Sequence, residues 1–361
     1  MVMRLRLQLA LIICIIATVA TYGQNDQHAP LNFGDAAPPL RVREWLKGKP
    51  IEKFEKDKIY VIEFWATWCR PCKAAMPRLS KLARKYKNKA VFIGIDVYEQ
   101  QVPLAMRKNR KQIKDFVDSM AHRMNYNVAT GDSNFMEAAW LDASGEKGIP
   151  NTFVINAEGR VAWIGHPMYL HEILPKILSN GWDINEAIVQ RNSDKRLEKL
   201  DDSLNYKLIT YNGDATIPGD FGKPDSALLV IDELVGKEPR LKYAPIMAFN
   251  TFSALLKTDP HKAYEYGKEV LLTPTYNEPA YNEIISVIEW WSDKISLPSE
   301  IYELGAEAYQ AEIDHIPYPE IANIPKLYNK MAAWYWHANN KSKAIDAEKK
   351  TIKALKRKKS F

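Results

Sequence analysis

Two cysteines separated by two residues, Cys69 and Cys72 in the run VIEFWATWCRPC at 61–72, carry the spacing best suited to chemistry in this chain. A C-x-x-C pair supports thiol–disulfide exchange. The apolar run at 58–64 predicts a buried strand, and the residues from Cys72 onward predict a helix. Cys69 then sits at a helix N-terminus, where unpaired backbone N–H groups and the helix dipole stabilise a thiolate. Cys69 is therefore the expected nucleophile and Cys72 the thiol that resolves the mixed disulfide. Arg70 adds a fixed positive charge beside Cys69, and Pro71 suits a first helical turn. Two competing readings are half of a zinc site and an inert structural disulfide. A zinc site needs a second Cys or His pair at suitable spacing, and the only other cysteine is Cys14, near the N-terminus.

The run FWATWCRPC, with Pro77 five residues after Cys72, resembles the thioredoxin superfamily, and more closely its secreted TlpA/ResA-like branch of thiol-disulfide oxidoreductases. The resemblance covers about residues 30–180. It implies an α/β thioredoxin-like fold, a central mixed sheet flanked by helices, whose only redox group is the disulfide, with no other cofactor and no metal. It implies for Glu63 the part of a buried acid that takes the proton of the second cysteine, with Glu standing where thioredoxins carry Asp. A carboxyl buried in a strand has a raised pKa and exchanges protons near neutrality; an ordinary exposed Glu on the strand is the competing reading. For Ile149-Pro150 in GIPNTFVIN it implies a cis peptide facing the cysteines, beside which an extended substrate pairs with backbone. Trp68, Arg70, Pro71 and Ile149 are the residues it places against the substrate chain. Some members of the branch carry an acid three residues after the second cysteine; Ala75 stands at that position here.

Around these residues the chain must supply a sheet. The segment 24–57 reads as a short hairpin, with Trp45 and Leu46 covering a sheet edge before Gly48 turns the chain. Met76, Leu79, Leu82, Ala83 and Tyr86 recur at helical steps, which predicts a helix over 73–86, kinked at Pro77. The run AVFIGIDV at 90–97 suits a central parallel strand covered on both faces. Residues 102–124 read as polar and partly helical, 126–129 as a short strand leading into 135–141. This insertion either shapes the substrate surface or is structural padding. Strands at 152–156 and 160–164, joined by a turn at 157–159, precede a closing helix at 166–179.

A chain of 361 residues, 46% hydrophobic and 26% charged, exceeds one ordinary domain and can bury a substantial core. Arg4 and Arg6, an apolar run at 7–20 and small residues near Gly23 form the pattern of a secretory signal over 1–23. Ile13 stands before Cys14 where a lipoprotein cysteine wants a small residue. Removal of this leader leaves Cys69 and Cys72 as the only thiols, which fits an exported, periplasmic or otherwise extracytoplasmic chain. No later segment is apolar enough to span a membrane. The net charge of +6 falls to +4 without the leader's arginines and is spread evenly, which argues against nucleic acid as a partner.

The thioredoxin-like domain is assigned to 24–181, a helix and linker to 182–224, and an α-helical domain to 225–361. In the last, Tyr264 and Gly267 align with Tyr302 and Gly305, and the segment KSKAIDAEKK falls in phase later. The spacings, 38 residues from Pro260 to Pro298 and 43 from Pro298 to Lys341, are close to those of helical-hairpin repeats of the tetratricopeptide class. Stacked hairpins offer a concave surface for a protein partner; a structural appendage is the alternative. Trp290, Trp291, Trp334 and Trp336 are read as core.

These readings combine into a protein-disulfide reductase acting on protein disulfides and fed by an upstream thiol electron donor. A peroxiredoxin-like thiol peroxidase is one alternative, although peroxiredoxins carry Thr three residues before their cysteine and Ala66 stands there. A non-catalytic binding or assembly factor acting through the helical domain is the other.

Overall fold

The computed structural model describes residues 30–132, 134–146, 148–211, 220–275, 279–316 and 323–358, and the leader lies outside the described residues. The chain folds into two compact units that divide after Asn185.

The first unit is built on β2 (Ile59–Trp65), which is buried from Tyr60 onward. It pairs in parallel with β3 (Ala90–Asp96) and antiparallel with β5 (Asn151–Ile155). With β1 (Val42–Lys47), β4 (Asn127–Gly131) and β6 (Val161–Gly165) it forms a six-stranded sheet in the order β1-β4-β3-β2-β5-β6. The apolar runs of β2 and β3 leave no polar face, as central strands covered on both sides require. Helices α1 (Arg70–Lys85), α2 (Arg110–Met120) and α3 (Leu170–Leu178) accompany the sheet. α1 runs unbroken through Pro77. A π-helical turn at Glu137–Asp142 sends Trp140 into the core, its ring centroid 6.1 Å from that of Phe64 and 5.2 Å from that of Phe153.

The hairpin expected before residue 57 does not form. The segment supplies the single strand β1, which pairs antiparallel with β4. The physical reason lies in the sheet: the outer edge of β4 would otherwise present a row of unpaired backbone groups. Lys47 fastens this edge, its Nζ donating to the carbonyls of Ala121 and Met124 at 2.9 and 2.8 Å.

In the second unit the described residues form no strand. Its helices are α4 (Ile184–Leu208), α5 (Pro224–Lys237), α6 (Pro245–Thr258), α7 (Pro260–Leu272), α8 (Tyr281–Trp291), α9 (Ser299–His315), α10 (Ile324–His337) and α11 (Lys341–Lys358). Proline opens α5, α6 and α7, where its missing N–H would have no helical partner anyway. α4, whose residues the sequence reading placed in a connecting segment, packs Leu197, Leu204 and Leu208 against Ile231, Leu241 and Met247. The two aligned glycines are points of close helix approach. A Cβ on Gly267 would lie 2.4 Å from Leu304, and one on Gly305 would lie 2.1 Å from the Trp334 ring. Trp291 and Trp334 are buried, but Trp290 and Trp336 are 48% and 61% exposed, which corrects their reading as core. Residues one or two apart on a helix point to different faces, so neither pair can bury both rings.

Candidate active site

β2 ends at Trp65 and the chain turns through Ala66, Thr67 and Trp68 into α1, with Cys69 as the residue that caps the helix. Cys69 and Cys72 are joined by a disulfide with an S–S distance of 2.01 Å. The Cys72 N–H donates to Cys69 Sγ at 3.1 Å, so the helix N-terminus presents a donor to the sulfur that becomes a thiolate on reduction. Arg70 and Pro71 are exposed in the first turn. Cys69 keeps 3% of its surface, whereas Cys72 keeps none.

Opposite the disulfide, the Ile149-Pro150 peptide is cis and leads directly into β5. The carbonyl oxygen of Ile149 lies 3.9 Å from Cys69 Sγ. Ile149 is half-buried and Pro150 buried. Trp68, also half-buried, donates from Nε1 to the Tyr98 carbonyl at 3.3 Å. These residues border a cleft of about 720 Å³ whose wall includes Trp68, Tyr98, Ile149 and three acids, Glu137, Asp142 and Glu146. Glu137 and Asp142 belong to the π-helical turn, so the insertion before β5 forms part of the cleft.

Glu63 lies on β2 inside the sheet, 2% exposed, which removes the ordinary surface reading. Burial pushes its carboxyl up to about 8, and the hydroxyl of Tyr126, donating to Oε2 at 3.0 Å, acts in the opposite direction. Its Oε1 has no hydrogen-bond partner in the protein. Titration near neutrality is what an acid that exchanges a proton with a thiol requires.

Sequence reasoning passed over several residues that this geometry brings in. Glu99, buried on the loop after β3, receives the Thr67 N–H at 2.5 Å on Oε1 and the Thr67 hydroxyl at 3.0 Å on Oε2. Lys73 Nζ donates to the Thr67 carbonyl at 2.9 Å. The residue two before Cys69 is thus held at its N–H, its hydroxyl and its carbonyl. Asp96 is buried nearby and its carboxyl is pushed well above the usual range, first by burial and then by the negative charge of Glu99. Tyr126, read only as a strand residue, is the one side-chain hydrogen-bond partner of Glu63 among the described residues. The available signal was Gly94, an isolated glycine in an apolar strand, which marks a close approach. Among the described residues, no group of three or more His, Cys, Asp or Glu side chains is arranged to hold a metal.

A thioredoxin family profile matches residues 49–118. The chain is 34% identical over 153 residues to protein FixW of Rhizobium leguminosarum, covering 42% of this chain and 68% of FixW. It is 30% identical over 159 residues to the thiol-disulfide oxidoreductase ResA of Bacillus thuringiensis, covering 43% of this chain and 83% of ResA. A crystal structure of a thiol-disulfide isomerase from Corynebacterium glutamicum overlays with a TM-score of 0.33 at 19% identity, covering 40% of this chain and 97% of that one. All of these matches fall short of half this chain, and the family profile takes in Glu63 and the C-x-x-C pair and ends before Ile149-Pro150. With a cysteine pair closed into a disulfide at the mouth of a thioredoxin-like sheet, the chain belongs to the thioredoxin superfamily, in its TlpA/ResA-like group of thiol-disulfide oxidoreductases.

Proposed function

We propose that the protein is an extracytoplasmic disulfide reductase that works on protein substrates. The observation that carries this reading is Cys69 at the N-terminus of α1, its sulfur accepting the Cys72 N–H at 3.1 Å and lying 3.9 Å from the Ile149 carbonyl. In the reduced enzyme the Cys69 thiolate attacks a substrate disulfide. A mixed disulfide forms and one substrate cysteine leaves as a thiolate, which takes a proton from water. Glu63 then accepts the proton of Cys72, and the Cys72 thiolate attacks Cys69 Sγ. That step closes the intramolecular disulfide and releases the second substrate cysteine. The substrate is reduced by two electrons and the enzyme pair is oxidised; an upstream thiol donor restores the dithiol. The substrate chain lies along Trp68, Arg70, Pro71 and Ile149, and pairs with backbone beside Pro150.

Export is supported by the leader pattern at 1–23 and by a mature chain whose only thiols are the redox pair. The reducing direction is supported by resemblance to the TlpA/ResA-like branch. The helical unit is assigned the binding of a protein partner, supported by its recurring helices and close-packed glycines. Peroxidase chemistry has less support, because Ala66 offers no hydroxyl and that of Thr67 is committed to Glu99.

The test is to express Cys72→Ser and isolate covalent complexes, alongside the reduction potential of the wild-type pair. The reading expects mixed disulfides through Cys69 and a potential near or below that of thioredoxin, about −270 mV. Absence of trapped clients together with a potential near about −120 mV, the oxidant range, would overturn it.

A further inference from the structure

Tyr126 stands immediately before β4, and the strand order places β3 between β4 and β2. Its hydroxyl nevertheless reaches Glu63 on β2. The passage is opened by Gly94 of β3, which lies in register with Glu63 on one side and with Val128 of β4 on the other. A Cβ on Gly94 would fall 3.0 Å from Tyr126 Cε2 and 3.1 Å from Trp65 Nε1, closer than ordinary packing allows. The missing side chain at 94 is thus the space through which the phenol crosses an intervening strand. Both ends of the contact are sealed, Tyr126 at 9% exposure and Glu63 at 2%.

We propose that Tyr126 is a positioning residue for the proton step: threaded over Gly94, its hydroxyl fixes Oε2 of Glu63 and leaves Oε1 as the oxygen that exchanges a proton with Cys72. This rests on the reading of Glu63 as the acid that serves Cys72. A phenol donating to a carboxylate favours its charged form, the form that can accept the thiol proton. With the carboxyl at about 8, about a tenth of it is ionised at pH 7, and loss of the donor shrinks that fraction further. Burial and the Tyr126 hydroxyl are the two influences on Glu63. From the neighbouring elements, β5 brings no ionisable side chain, α1 brings Cys72, and β3 brings Asp96, whose own interactions run to Glu99 and Glu137. In the step itself Cys72 S–H gives its proton to Oε1, the carboxylate becomes a carboxylic acid, and the Cys72 thiolate forms the bond to Cys69 Sγ as the Cys69–substrate disulfide breaks and the substrate sulfur leaves as a thiolate.

The experiment uses the full chain and two readouts: titration of the Glu63 carboxyl by carbon NMR, and the pH profile of mixed-disulfide resolution followed with a model peptide disulfide. In Tyr126→Phe the Glu63 midpoint is expected to move up by about one pH unit. Resolution at neutral pH should fall several-fold and recover at alkaline pH. In a Glu63→Gln background Tyr126→Phe should leave the profile in place. An unmoved midpoint and profile, or a shift that persists without Glu63, overturns the assignment, since a merely structural tyrosine alters stability and not the titration of the carboxyl. Incorporation of 3-fluorotyrosine at 126 keeps the ring and strengthens the donor, so the midpoint should move down; no movement or an upward one overturns the proposal even where Tyr126→Phe fails to fold. A wild-type chain inactive in exchange would remove the functional reading and this one with it. Normal exchange with an unmoved profile in Tyr126→Phe removes only the role of Tyr126.

Discussion

In the first unit Glu63, 2% exposed, keeps one oxygen without a partner, whereas in the helical unit Asp201, 3% exposed, gives both oxygens to backbone. Asp201 accepts the N–H groups of Ile246 and Met247 at 2.9 and 3.2 Å and so caps the first turn of α6. The contrast extends beyond these two acids. Among the described residues, every buried side-chain nitrogen or oxygen without a protein partner lies in the first unit, Glu63, Asp96, Asn151 and Thr152 included. Leaving such atoms unpaired is unfavourable, and all but the Trp140 ring nitrogen sit on strands of the sheet. The difference teaches where chemistry is invested: the sheet tolerates unsatisfied polarity beside its disulfide, and the helices satisfy theirs for structure.

Cys69→Ser should break the comparison most sharply, reducing disulfide exchange to background while leaving the thermal unfolding of the helical unit unmoved; calorimetry and a disulfide-reduction assay check both halves. Glu63→Gln comes next. A carboxyl raised from 4.5 to about 8 in the folded state contributes stability that is complete below about pH 4.5 and is lost as pH rises through about 8. The loss approaches about 1.4 kcal/mol per pH unit within that window. Denaturant melts of the oxidised protein should show this decline in the wild type and a shallower one in Glu63→Gln, where Asp96, raised by burial, still contributes. Gly305→Ala forces a methyl against the Trp334 ring and should destabilise the helical unit by about 1–3 kcal/mol without altering exchange. The smallest effect belongs to Asp201→Asn, about 1 kcal/mol from a weakened cap. Burial raises Asp201 to about 6, so the wild-type helical unit should lose stability as pH rises from about 4 to about 6, and the variant should not. A helical unit insensitive to pH over that range would sink the comparison.

The redox face of the first unit was legible in the sequence, and its contrast with the helical unit was not. The continuous apolar runs of β2 and β3, the C-x-x-C at a helix start and the Gly-Ile-Pro ahead of β5 are local signals, each readable within a dozen residues. What escaped depends on partners distant in sequence. β1 looked like half of a hairpin because its true partner, β4, follows two intervening strands. The bonds from Thr67 to Glu99 and from Tyr126 to Glu63 require the strand order, which periodicity does not encode. In the helical unit the aligned glycines carried only the repeat, and their spacing did not say that Leu304 and Trp334 crowd against them. Trp291 and Trp334 are core as expected, whereas Trp290 and Trp336 are not, because composition was weighed without helical phase.

The complete enclosure of Cys72 bears on where an oxidant could reach the reduced pair. With Cys69 the only one of the two with surface, an oxidant from solvent would reach its sulfur first, and a sulfenic acid formed there would be on the one rung of the ladder that a neighbouring thiol can still rescue. Condensation of Cys72 with it would release water and give the same Cys69–Cys72 disulfide that the structure holds.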